Sequence, residues 1–138
     1  MANRIRKVNY CYLKVPSRAG QGAKILGEIR NAGINLIAFS GFPVTGGKSQ
    51  IDLVTDNISA VRRIAGKNGW RLSNTKRAFL VQGTDKIGAV QNTLYRLAKK
   101  NINVTAVDAV AAGKDRYGMI FWVKQKDYGR ASRVLKAK

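Results

Sequence analysis

Apolar and polar positions alternate in short runs along this chain, and between those runs the apolar residues recur at helical spacing. Residues 9–15 are rich in aromatic and β-branched side chains and are predicted to form a strand that Pro16 ends. A loop holding Gly20 and Gly22 leads into a helix in which Ile25, Leu26, Ile29 and Ala32 share one face. Gly33 supplies a left-handed exit from it. Strands are expected over 34–44 and 50–55, joined by a turn at Thr45-Gly46-Gly47-Lys48. Asn57 or Ser59 caps a second helix lined by Ile58, Val61, Ile64 and Ala65, which Asn68-Gly69 closes. Residues 70–76 are expected as a fourth strand. The pattern then restarts with a strand over 78–82 and a helix lined by Ile87, Val90, Leu94 and Leu97. Strands over 102–111 and 117–124 flank a turn at 112–115. Asp127 caps a last helix whose Tyr128, Ala131, Val134 and Leu135 face inward.

The restart is a repeat in the residues as well. The same offset relates Gly20 to Gly88, Leu26 to Leu94, Asn35 to Asn103 and Ala38 to Ala106, with no gap. A period this long is a duplicated small domain and not a solenoid repeat. The order β-α-β-β-α-β, then β-α-β-β-α, predicts an α+β protein of two ferredoxin-like units in tandem. Each has an antiparallel sheet with its helices on one face. The first repeat is assigned to residues 1–76 and the second to 77–138, which lacks an obvious final strand. An unpaired edge there invites a partner, either the segment 4–8 or a second copy of the chain.

Composition narrows the setting. With 138 residues and 45% hydrophobic content, the chain can bury a core. No apolar run is long enough to span a membrane, and the basic start is not followed by an apolar signal region. The lone cysteine, Cys11, forms no internal disulfide and reads as a small buried hydrophobe. A cytoplasmic location is expected. The net charge of +19 is spread over both halves and attracts phosphates or other polyanions, although charge alone names no partner.

Catalytic constellations are sparse. There is no histidine, one cysteine and a single glutamate, Glu28, so metal clusters and Cys/His or Ser/His arrangements are ruled out. Gly20-Gln21-Gly22 lacks the lysine-and-hydroxyl ending of a nucleotide-binding loop. No cofactor and no enzymatic activity are expected. The better candidate is the loop–helix corner of each repeat. Gly20 and Gly88 let backbone approach a ligand, and the unpaired N–H groups of the following helix suit a carboxylate. Asp85 offers a negative group for an ammonium, and Asn35 and Asn103 offer both donor and acceptor. The structural alternative is that the glycines only make turns, Asp85 only caps and the asparagines only bridge loop backbone.

Two motifs give these corners a family resemblance. The turns read Ser17-Arg18-Ala19-Gly20 and Asp85-Lys86-Ile87-Gly88, and the later segments read Gly33-Ile34-Asn35-Leu36 and Asn101-Ile102-Asn103-Val104. Both resemble the ACT domain, a small ligand-binding regulatory module with an Asp/Asn-x-Pro-Gly turn and a Gly-Val-Asn-Ile segment. The resemblance covers almost the whole chain and implies a stand-alone tandem ACT protein that senses a free amino acid. It implies ligand contacts at Gly20, Asn35, Asp85, Lys86, Ile87, Gly88 and Asn103, often where two such domains meet, and assembly into homodimers or higher homo-oligomers. Both turns lack the proline, and Ser17 stands where an acid or amide belongs. Two alternatives remain open. One is an RNA- or polyanion-binding protein that uses a basic ferredoxin-like surface, since Tyr10, Tyr12, Phe79, Tyr117, Phe121 and Trp122 fall on expected strands. The other is a structural or interaction module with no small ligand.

Overall fold

The computed structural model describes residues 3–138. Its elements are β1 (Arg4–Pro16), α1 (Gln21–Asn31), β2 (Ala38–Val44), β3 (Lys48–Val54), α2 (Ile58–Asn68), β4 (Lys76–Thr84), α3 (Ala89–Ala98), β5 (Val104–Gly113), β6 (Arg116–Val123) and α4 (Gln125–Leu135). They form two compact units. One is Asn9–Lys76; the other is Arg77–Lys138 together with the opening segment up to Val8. The fold class is the expected α+β, tandem ferredoxin-like arrangement. Among the described residues, no helix is long and apolar enough to cross a membrane.

In the 9–76 unit the strand order is β2-β3-β1, with β3 antiparallel to both neighbours. Alternation sends Cys11, Leu13 and Val15 of β1 and Ile51 and Leu53 of β3 to one face. There they pack on Ile25 and Ile29 of α1 and Val61 of α2. Asn57 is the residue that caps α2, its side chain accepting from Ala60 N at 3.2 Å. Two expected strands differ. Residues 34–37 precede β2 without joining it, and the Asn35 carbonyl accepts from Thr55 Oγ1 at 2.9 Å. Residues 70–75 are not a strand either. Ser73 N donates to the Tyr12 carbonyl at 2.8 Å, but Tyr12 N donates to the Ser73 hydroxyl at 2.9 Å. A side chain therefore takes the place of the backbone acceptor that a regular ladder requires.

The other unit has the order β1-β4-β6-β5, with β6 antiparallel to β4 and β5. The strand absent from the second repeat is supplied by Arg4–Val8, the first part of β1. Ile5 is buried in this unit's core, and Lys138 N donates to the Ile5 carbonyl at 3.0 Å. The centre of that core is aromatic. The Tyr128 ring stacks on Phe79 at 4.5 Å, and Phe79 stacks on Phe121 at 5.1 Å. Tyr128 Oη donates to the Ala78 carbonyl at 3.0 Å, and burial pushes the phenol up to about 12, with Arg77 over the ring opposing the rise. Two sequence assignments are corrected here. Ile87 precedes α3 and is fully exposed, so the helix buries Ala89, Thr93 and Leu97 instead. Asp127 does not cap α4. Lys124 holds that position, while Asp127 lies in the first turn beside Arg130 at 3.3 Å and Lys126 at 3.8 Å.

Two measurements check this architecture. Ile5→Ala removes a core side chain carried by the borrowed strand and is expected to cost about 2–4 kcal/mol in urea unfolding, as core truncations do. An unchanged midpoint would mean that residues 4–8 do not complete the core. The second concerns Asp52, which is buried and accepts one bond, from Gln50 Nε2 at 3.0 Å. Burial raises its pKa, and the Gln50 bond opposes the rise only in part. Folding thus favours the protonated acid. Its contribution to stability is full below the ordinary carboxylate range and is lost as pH rises through the raised value. Asp52→Asn is therefore expected to stabilise the fold at pH 7 and to flatten the unfolding profile between pH 4 and 7.

Candidate functional site

Each unit starts its first helix in the same way. Gly20 and Gly88 sit at the N-caps of α1 and α3 with φ of 89° and 81°, a left-handed conformation that a Cβ disfavours. Neither helix receives a side-chain cap, in contrast to α2. Gln21 N and Ala89 N turn back to the Arg18 and Lys86 carbonyls at 3.3 and 3.1 Å, so the N–H groups of the next two residues and the positive end of the dipole are left for solvent or an anion.

In the 77–138 unit this corner opens onto a groove of about 750 Å³ between α3 and the edge strand β5. Asp85, Lys86 and Gly88 form one end of it, Leu94 and Tyr95 one wall, and Val110 the other. Tyr117, buried, also lines it, and burial raises its phenol pKa while the neighbouring Asn3 and Thr93 side chains oppose the rise. The corner is held in place by the β5–β6 turn. Lys114 and Asp115 both have positive φ, 53° and 58°, as a two-residue hairpin loop of this hand requires. The Asp115 carbonyl accepts from Asp85 N at 2.7 Å. Close packing continues beneath the corner, where a Cβ on Gly83 would meet the Asn3 side chain and come within 2.9 Å of the Tyr117 ring.

The 9–76 unit has a counterpart of about 480 Å³ beside Gly20, lined by Ser17, Arg18, Gln21, Phe39, Phe42 and Pro43 among others. A basic residue thus stands near the place of Lys86, but Ser17 leaves this corner without the carboxylate that Asp85 provides.

The remaining proposed contacts lie elsewhere. Ile87 points away from the groove, fully exposed. Asn103 is exposed and lies past the far end of α3, so about 15 Å of helix separates it from Gly88. Asn35 is placed likewise, in a separate cavity with Arg30 and Gly33 at the end of α1. The reason is topological: a helix that returns antiparallel to its strand puts its start and the start of the next strand at opposite ends. Sequence reasoning missed the groove walls, because Tyr95 and Val110 read there as ordinary helix and strand positions. It also missed how bare β5 is, with every residue after Val104 exposed. Among the described residues, no cluster of acidic, histidine or cysteine side chains could hold a metal ion.

No protein-family model matches the sequence, and no curated protein matches it significantly. Solved structures do match in fold. Protein BT0572 from Bacteroides thetaiotaomicron superposes with a TM-score of 0.74 at 16% identity, covering 97% of this chain and 88% of that one. The ligand-free regulatory subunit of aspartate kinase from Thermus thermophilus gives 0.66 at 12% identity, covering 98% and 93%. The aspartate kinase of Clostridium acetobutylicum gives 0.59 at 15% identity, where this chain covers 33% of the enzyme. At these identities the likeness establishes the fold, and that fold is the ACT-like one of aspartate kinase regulatory regions.

Proposed function

We propose that this protein is a regulatory module, without catalysis of its own, that binds a free α-amino acid in the groove between α3 and β5. The carrying observation is the corner itself: a glycine-started, uncapped helix beside Asp85, at the end of an apolar groove. The carboxylate is held at the start of α3 with Lys86 alongside, and the ammonium pairs with Asp85. The walls formed by Leu94, Tyr95 and Val110 suit an apolar side chain. The likeness to regulatory subunits of aspartate kinase supports a sensing role. In this reading the repeats are 1–76 and 77–138, and the Gly20 corner, with Ser17 in place of the acid, is the weaker of two corresponding sites. The protein acts in the cytoplasm.

Asn103 reaches the ligand from a second copy. β5 is an exposed edge strand whose Val107 and Val110 face solvent. Pairing two copies antiparallel along it, about a centre near Asp108, sets the start of one β5 beside the end of the other. Asn103 of one copy then stands by the Asp85–Asp115 corner of its partner.

A thermal-shift series over the twenty amino acids tests the ligand. One of them, with an apolar side chain, is expected to raise the midpoint by mass action. A folded sample that responds to none would leave the structural-module reading. Asp85→Ala and Asn103→Ala are each expected to weaken binding by roughly 1 kcal/mol or more. Mixing the two variants checks the assembly. A mixed dimer keeps one site with both residues intact, so binding is expected to return in the mixture, up to one site per mixed dimer. Absence of any recovery, with light scattering showing a monomer, would place Asn103 outside the site.

A further inference from the structure

The cations of the 77–138 unit are not spread evenly. On α4, Lys126, Arg130 and Arg133 succeed one another at i, i+4 and i+7, opposite the buried Tyr128, Ala131 and Leu135. All three are exposed, and successive charges rise about 6 and 4.5 Å along the axis. Helix α3 lies alongside. Arg96 Nη2 donates to the Val134 carbonyl at 3.1 Å, and Arg130 Nη1 donates to the Lys100 carbonyl at 2.6 Å. These bonds bring the exposed Lys99 and Lys100 up to the α4 stripe, and Lys124 and Lys136 extend it at either end. Asp127 is the sole acid on the two helices, and it is buried beneath Arg130. The α1 and α2 helices of the other unit differ in that Glu28 stands among their cations.

We propose that the outer face of α3 and α4 is a docking surface for the phosphodiester backbone of a nucleic acid. A row of cations on consecutive turns matches a polymer with one charge per nucleotide, and releasing condensed counterions drives the contact. An anionic membrane fits less well. A surface-bound helix buries apolar side chains in the lipid, whereas every exposed residue of α4 is glycine, polar or basic, its apolar side being spent on the core. The surface reads no bases, so binding is indifferent to sequence. It is distinct from the amino-acid site: the stripe residues do not line the groove, and Lys99 alone touches it, its ammonium over the outer ring of Tyr95.

The test is fluorescence anisotropy with labelled 20-nucleotide single- and double-stranded probes of arbitrary sequence, over a range of salt. The stripe variant carries Lys99→Glu, Lys126→Glu and Arg133→Glu. The control carries Lys24→Glu, Lys48→Glu and Lys67→Glu and has the same net charge. The stripe variant is expected to lose tenfold or more in affinity and to flatten the salt dependence by roughly two units of slope. The control is expected to lose less than threefold. Equal losses in both variants, or no binding by the unaltered protein at physiological salt, would overturn the proposal. So would retention on phosphatidylglycerol vesicles without retention of nucleic acid. Should the stripe variant fail to fold, lysine acetylation of the unaltered protein decides. Bound nucleic acid is expected to protect Lys99, Lys126 and Lys136 and to leave Lys24 and Lys48 reactive, and the reverse pattern would overturn the proposal.

Discussion

The fold depends on one long strand being divided between two cores. β1 gives its residues from Asn9 onward to one unit and its residues up to Val8 to the other. The 77–138 segment has three strands and two helices of its own, and that leaves β4 with an open edge. Ile5 and Val8 are buried and the Ile5 carbonyl is bonded, so the borrowed segment supplies apolar cover as well as pairing. A ferredoxin-like sheet needs this fourth position filled, because open backbone groups beside a core are costly unless water or a strand satisfies them. Once it is filled from within the chain, the edge left bare is β5, and β5 forms a wall of the groove.

Much of this could be read from the sequence. The duplication, the α+β class, the order of elements and the glycine corners follow from periodicity and from residues whose conformational needs are local. Gly33 has the positive φ that its place at the end of α1 suggested, and Gly20 and Gly88 share that conformation. What escaped was non-local. Ile87 looks like a core residue by spacing, but α3 begins only after Gly88 turns the chain, so the periodic count started one turn early. Residues 70–76 carry strand-like composition, yet Ser73 satisfies Tyr12 with its hydroxyl. Asn35 and Asn103 share a motif with the glycines in sequence, but a helix of ten or eleven residues stands between them in space. Composition gave the total charge and could not locate it, because the stripe on α3 and α4 exists only once Arg130 reaches the Lys100 carbonyl.

The two surfaces of the 77–138 unit use α3 differently. Its groove side is apolar and ends at Asp85, while its α4 side is basic. Leu94 faces one and Arg96 the other, two positions apart, as helical geometry demands. Tyr95 and Lys99 stand at the boundary, with the ammonium 5.1 Å from the ring centroid. A single helix can therefore present a pocket for a small zwitterion and a track of positive charge without either intruding on the other.

The division of β1 also sets an order of events as the chain is made. The 9–76 unit has all of its strands and helices once residue 76 has emerged, and domains fold as units in the order of synthesis. The other unit cannot close then, because its borrowed strand precedes the 9–76 unit in the chain and the rest of it follows. Residues 4–8 must wait, tethered to a finished neighbour, until α4 arrives. That wait spans nearly the whole chain, and contacts so distant in sequence are slow to form. Closing the second core thus means joining a segment made before the first unit to strands and helices made after it.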